Sequence, residues 1–544
     1  DRLKWPLIKG RGQAGGLLPG ATNYSDYLFW DPTAFGGAGL WEVGGDEVHL
    51  GTVAGEINQG DTAVAIGKSA GNDNQGLQSV AIGSNAGEIK QSANSVAIGP
   101  FSARGNGAGP QGVSAVAIGF NTASQNQGEN AVAIGTTAGD ISQGAKSVAI
   151  GESAGTNNQQ PAAVAIGLTA GNNNQGVNAV AIGNTAGNDN QGEAAVAIGV
   201  SAGFGLTAPQ GANAVAIGSD AARFSQGDNA VAIGNTAGQF FQAANTVAIG
   251  NAAGRTGTGG TTGQGENAVA IGFGAGQDNQ GVNAVAIGAD AGSVNVVTGQ
   301  QENAVAIGAK AGQTDQQGSA IAIGAGAGNK DQGSDAIAIG NKAGFQGIVT
   351  PNVGQGADAI AIGREAGTTD QGIRSVAIGP EAGNANQGPD AVAIGNSAGL
   401  ENQQENSVAI GLQAGNLSQQ SNAVAIGFNA GDDTQGARSV AIGNGAGQNT
   451  QGGEAVAIGN GSGASSQATG AIALGPSAGA TSQRQRSIAI GNLAGNANQG
   501  QYSIALGNRA SQTGGNLGNT IVLNAQTEPN ALNPVTNESF LVAT

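Results

Sequence analysis

Cysteine and methionine are both absent from the 544 residues, and a single histidine is present. Disulfides, thiolate metal sites, thiol nucleophiles and the two most oxidisable side chains are therefore excluded. Aromatic residues make up 3% and charged residues 10%, too little for a conventional globular core of this length. No apolar run approaches the roughly 18 residues that cross a bilayer, so no membrane span is expected. The sequence opens on Asp1 without a methionine anywhere, which leads us to expect a removed leader or an interior piece of a longer chain. What is abundant is glycine, 101 residues. It does not recur at every third place, so collagen is excluded. Small apolar residues raise the hydrophobic share to 39%, which is not a disordered composition. A net charge of −17 opposes binding to nucleic acid or to an anionic membrane.

The informative property is periodicity. From Ala63-Val64-Ala65-Ile66-Gly67 to Ser503-Ile504-Ala505-Leu506-Gly507 one five-residue phrase occurs 27 times, and 21 of the 26 intervals are 16 residues long. The other five are 19 to 23 residues. A 16-residue period is too short for two-helix repeats, and β-branched residues punctuated by glycine disfavour helix. Each unit is therefore expected to be one coil of a parallel β-solenoid, all-β. At about 4.8 Å per coil the array would be on the order of 130 Å long.

In Val64-Ala65-Ile66 the alternation sends the branched residues to one face and alanine to the other. The valine site accepts isoleucine, as at Ile321 and Ile504, and the isoleucine site accepts leucine at Leu474 and Leu506. We read Val64, Ile66, Val180, Ile182, Val285 and Ile287 as lumen core, with one alanine such as Ala70 or Ala86. The central residue is alanine in all 27 phrases, its predecessor but one is Ala, Ser or Thr, and glycine always follows the isoleucine site. Neighbouring positions vary freely, for example Lys68-Ser69 against Arg364-Glu365, so undiverged duplication does not explain the uniform sites. We therefore expect Ala65, Ala81, Ala181, Ala286 and Ala393 to pack against other subunits, in a homotrimer as the natural closed arrangement. Gly71 and Gly76 are expected to supply positive φ at coil corners. The Asn74-Gln75-Gly76 corner is expected to stack into amide ladders.

Residues 1–50, which hold Trp5, Trp30, Trp41 and most tyrosines, read as an aromatic-rich N-terminal cap, residues 51–510 as the array and 511–544 as a closing segment. The basic residues Arg2, Lys4, Lys9 and Arg11 read as a solvated tail. The longer intervals insert residues between the Ala-Gly and Gln-Gly landmarks, and Phe204, Leu206, Arg255, Val296, Phe345 and Ile348 within these insertions are candidate contact residues.

Catalytic chemistry is not indicated. His49, beside the first coil, has no accompanying nucleophile motif and reads as structural. Gly-x-Gly-x-x-Gly matches lack a strand-to-helix context. Asp432-Asp433 is not repeated at other coils, so no stacked calcium site is expected, and no cofactor is expected. Threonines at Thr137, Thr169, Thr185 and Thr236 are too interrupted for an ice-binding row. A glycan-processing groove would need acidic pairs and aromatic platforms, and only Phe240-Phe241 are adjacent aromatics in the array.

At these residues the chain resembles two related groups. The AVAIG and SVAIG phrases look like the head repeats of trimeric autotransporter adhesins, a resemblance that implies a left-handed β-roll. Units such as AVAIGNTAGNDNQG are also similar to repetitive fibre proteins of giant viruses and phages that precede a self-cleaving intramolecular chaperone. Leu28-Phe29-Trp30-Asp31 and Leu40-Trp41-Glu42-Val43-Gly44 resemble that second group's opening segment, and Asn519-Thr520-Ile521-Val522-Leu523-Asn524-Ala525 with Phe540-Leu541-Val542 resembles its closing one. No chaperone domain follows Thr544, so no catalytic residue carries over. The resemblance implies a non-enzymatic, trimeric surface fibre or adhesin, extracellular or on a virion, with a cell-surface receptor or glycan as partner. The alternative is an extracellular filament built by head-to-tail docking of solenoid units.

Overall fold

The computed structural model describes residues 27–31, 39–105, 109–205, 208–255, 263–293, 299–345, 354–512, 518–524 and 540–543. The chain divides into two compact units, Asp1–Asn188 and Asp189–Thr544. Each is a parallel β-solenoid, and the chain as a whole makes about 28 turns of about 16 residues. No helix occurs among the described residues.

In the first unit a hairpin of β1 (Leu28–Asp31) and β2 (Leu40–Val43) precedes the ladder. The ladder begins at β3 (Val48–Leu50), which pairs in parallel with β4 (Val64–Ile66), Val48 opposite Val64 and His49 opposite Ala65. Each later phrase then stacks on its predecessor in the same register, as Val64 on Val80 and Val164 on Val180. In the second unit the same pairing runs from Val196 on Val215 to Ile504 on Ile521, and Ile521 on Phe540. A shorter parallel ladder forms on the opposite side of some coils, as where Ile141–Gln143 lies between Gln125–Gln127 and Asn157–Gln159.

Backbone pairing does not stop at the strands. In one coil Val64 N donates to Ser79 O at 2.9 Å, Gly71 N to Ala86 O at 2.9 Å and Gly76 N to Gln91 O at 2.7 Å. Corner groups can bond along the stack because the chain repeatedly enters left-handed φ: Ser69, Asn74 and Gln78 lie at 55°, 59° and 56°. Each such residue costs roughly 1–2 kcal/mol, a cost offset by satisfying every turn's amides against a neighbour. Asparagine, which tolerates this conformation best among non-glycine residues, recurs at these sites.

The polarity of the strand is the reverse of the sequence-based expectation. Ala65, Ala81, Ala181, Ala286 and Ala393 are all 0% exposed within a single chain. They line the lumen of their own coil and are not subunit contacts. Val64, Ile66, Val180, Ile182, Val285 and Ile287 face outward and are half-buried or exposed, with Ile182 at 36%. The reason is width. A 16-residue coil of the array closes so tightly that its strand turns small groups inward, here Ala63, Ala65 and Ala70 at 0% exposure, and the valine and isoleucine of the phrase lie outside. The residue before the valine site is inward for the same reason, with Ser79 and Thr246 fully buried. Ser79 Oγ donates to Gly76 O at 2.7 Å.

Glycine after the isoleucine site is likewise dictated from within the chain. Gly67 has φ +128°, and a Cβ there would lie 2.7 Å from Gly83 O of the next coil. Gly71 has the expected positive φ, +51°. Gly76 is absent from the positive-φ glycines. Its need is close approach, since a Cβ would fall 2.4 Å from Ala93 N.

The lumen's one large occupant is glutamine. Gln75 is 2% exposed, and its Nε2 donates to Val64 O at 2.9 Å and to Gln91 Oε1 at 3.2 Å. In the second unit the links are unbroken from Gln191 through Gln210, Gln226, Gln242, Gln264, Gln280, Gln300, Gln316 and Gln332 to Gln355, and again from Gln371 to Gln499. Amide stacking from coil to coil is thus present at the expected residue, inside the coil. Gly87 makes room for it: a Cβ there would sit 2.7 Å from Gln91 Oε1 and 3.4 Å from Ala81 Cβ.

Two outcomes follow for the lumen. Ala286→Leu overfills it and is expected to lower unfolding stability by about 1–3 kcal/mol, whereas Asp290→Lys at a corner changes it little; thermal unfolding followed by circular dichroism separates them. Gln280→Glu sets a carboxylate against Val269 O and Ala284 O, which now accept from Gln280 Nε2. Burial holds that carboxyl above the roughly 4.3 of a free glutamate, so the folded state binds its proton more tightly. Stability is then expected to fall as pH rises from 4 to 7, by more than in the unsubstituted protein.

Candidate subunit interface

With alanine and glutamine filling the lumen, the branched residues form two parallel columns on the outside of the main ladder. The first column is Val or Ile in every phrase and the second Ile or Leu in every phrase. No polar or charged side chain interrupts either. The more exposed second-column residues are 36–39% exposed, among them Ile182, Ile323, Ile394 and Ile490, and the others are half-buried. In the first unit the columns include Val48 and Leu50 of β3, and in the second they include Ile521 and Leu523. Isolated apolar residues on a surface need no explanation, whereas a contiguous stripe of this kind is a candidate interaction surface.

Polar ladders flank the stripe. Two residues before the first column, Asn213, Asn229 and Asn245 bond in series at 3.4 and 3.2 Å, as do Asn267, Asn283 and Asn303 at 3.2 and 3.0 Å. Elsewhere the same position pairs opposite charges from adjacent coils. Arg374 holds Asp390 with two bonds at 2.7 and 2.8 Å, and Arg438 meets Glu454 at 2.7 Å. The Arg374 hydrogen bond keeps the Asp390 carboxyl below its ordinary range. These pairs are exposed and add little to stability. They define a hydrophilic border beside an apolar strip.

The insertion residues are placed in part. Phe204, Arg255 and Phe345 are half-buried at the bases of their loops. Phe345 has the Lys342 ammonium 6.0 Å from its ring centroid. Leu206, Val296 and Ile348 lie outside the described residues. Aromatic pairs form between coils, not within them. Phe240 stacks on Phe224 with centroids 4.4 Å apart and planes 7° apart, Phe241 is exposed, and Phe101 meets Phe120 edge-on at 5.9 Å. Adjacency along the chain, which singled out Phe240-Phe241, is the wrong signal in a fold that pairs residues 16 or more apart.

His49 lies at the first rung, its Nδ1 3.1 Å from Gln59 Oε1. Among the described residues no group of three or more His, Asp or Glu side chains is placed to hold a metal ion, and no helix is long and apolar enough to cross a membrane. The glutamine column was missed as a constrained feature, although glutamine stands five residues before the Val/Ile site in all 27 phrases. That invariance of a long uncharged side chain was the signal for an interior amide.

Three segments, residues 111–138, 355–382 and 466–494, match the YadA head domain repeat, the head of trimeric autotransporter adhesins, a structural adhesin family. A search of curated proteins gave no match, and neither did a search of solved structures.

Because the stripe side chains point away from the lumen, Ile287→Lys is expected to leave the coil's circular dichroism and unfolding midpoint nearly unchanged, within the roughly 0.5 kcal/mol of a surface substitution when measured on dissociated chains. The same substitution is expected to abolish or weaken association measured by sedimentation.

Proposed function

We propose that this chain is a non-enzymatic structural subunit of a trimeric surface fibre, displayed on a cell or virion and used for attachment. The observation that carries the reading is the Val/Ile double column that each unit of a single chain leaves half open to water. Three copies facing one axis would bury three such stripes and close the assembly without an exposed apolar edge. Matches to the YadA head repeat support it, since YadA-type adhesins form homotrimers and bind a host surface. Three-fold packing thus uses Val64, Ile66, Val180, Ile182, Val285 and Ile287, the residues first assigned to the lumen.

In this reading the insertions serve contact with a receptor or glycan, with Phe204, Arg255 and Phe345 at their bases and Leu206, Val296 and Ile348 in the loops themselves. Their variable sequence sits on a framework that repeats, the usual division between recognition and scaffold. The net charge of −17 keeps such a particle soluble and disfavours partners with acidic surfaces.

Light scattering on the purified protein is expected to give a discrete three-chain mass that does not grow with concentration. A monomer at all concentrations would overturn the trimer, and open-ended polymers would favour the head-to-tail filament.

A further inference from the structure

We infer that Tyr27, His49 and Gln59 form a terminator that closes the N-terminal end of the solenoid to a second copy of this chain. An internal coil is hydrogen-bonded on both sides. At β3 the downstream side is used as in every coil, with Val48 N donating to Ala63 O at 2.9 Å and Gly67 N donating to Leu50 O at 2.7 Å. Adjacent residues of a strand direct their backbone groups to opposite sides, so Glu47 C=O and His49 N–H face upstream. Left bare, such groups are a template for another strand.

One phenol occupies both. Tyr27 Oη donates to Glu47 O at 2.7 Å and accepts from His49 N at 3.2 Å. It is held there from its other end, where Gly44 N donates to Tyr27 O at 2.8 Å. A Cβ at Gly44 would come within 2.3 Å of the Tyr27 ring, so glycine is what lets the ring lie against this connection. Burial raises the phenol above its ordinary value, so the donated proton stays in place at neutral pH.

The lumen is closed by the same group of residues. His49 stands in register with Ala65, so an imidazole replaces the methyl found in all 27 phrases. Its ring meets Tyr27 edge-on at 5.9 Å. Gln59 Nε2 donates to Val48 O and Ala63 O at 3.1 and 3.3 Å, which turns Oε1 toward the ring and requires the proton on His49 Nδ1. In unbroken parts of the column that oxygen accepts from the preceding coil's glutamine. Val43, not a glutamine, stands five residues before Val48, and His49 supplies the donor instead. A further coil stacked upstream would meet a phenol on its strand edge and an imidazole in its lumen. Growth by head-to-tail docking is therefore blocked at this end, and association is left to the sides. This inference does not depend on the number of subunits.

The test uses the full chain carrying Tyr27→Phe alone and Tyr27→Phe with His49→Ala, which restores the repeat's own alanine. In the single variant the His49 amide is expected to exchange about tenfold faster, the loss of one hydrogen bond. Unchanged exchange at Val164–Ile166 reports that the unit remains folded. In the double variant, particles are expected to lengthen in multiples of the unsubstituted length in electron micrographs, with mass rising with concentration. Unchanged His49 exchange in the single variant, or an unchanged mass and length in the double variant over about a hundredfold concentration range, would overturn the terminator. The Ile287→Lys variant reports on lateral association separately, so the two readings fail independently.

Discussion

The reach of one glutamine side chain sets the dimensions of this protein. Its amide crosses the lumen, binds the strand carbonyl of its own coil and, along most of the column, the amide of the next. An unpaired buried amide would cost roughly 1–3 kcal/mol per group, so the coil can neither widen nor slip without breaking these bonds. Everything else in the coil is subordinate to that span. Alanine is the strand centre in all 27 phrases, and the glycine that follows the strand keeps clear of the neighbouring coil. The valine and isoleucine side chains of the phrases are thereby kept out of the interior and lie along the outside of the coil.

Much of this was legible before any coordinates. The 16-residue period, the in-register parallel stacking and the amide ladder all follow from the recurrence of Ala-Val-Ala-Ile-Gly and Asn-Gln-Gly. What could not be read from alternation was which face is inside. Period-two patterning separates Val64 and Ile66 from Ala65 but attaches no label to either face, and the habit of placing the larger apolar residues in the core is misleading where the core is one side chain wide. The invariance of Ala65 and its copies was correctly seen as packing, but the surface pressing on it belongs to its own coil. The pairing of Tyr27 with His49 was out of reach for a different reason: it joins residues of unlike segments through one hydroxyl and leaves no periodic trace.

Insertions illustrate how the same constraint permits variation. All five lengthened coils keep their glutamines, and in four of them the links Gln191–Gln210, Gln242–Gln264, Gln280–Gln300 and Gln332–Gln355 remain between 3.1 and 3.3 Å. Extra residues enter at the corner before the amide, so a loop's length is decoupled from coil registration. The sequence can then diverge at Phe204, Arg255 or Phe345 without disturbing the glutamine column.

The glutamines also share an orientation. Each Nε2 points toward the C-terminal neighbour and each Oε1 toward the N-terminal one, through the whole of Gln191–Gln355 and Gln371–Gln499. Side-chain amide dipoles that would cancel in a disordered arrangement therefore add in series within a low-dielectric interior. Each run is an electrically polar filament with a fixed sense, its negative pole facing the N-terminus. At the first coil, Gln59 presents the same oxygen pole to the imidazole N–H of His49.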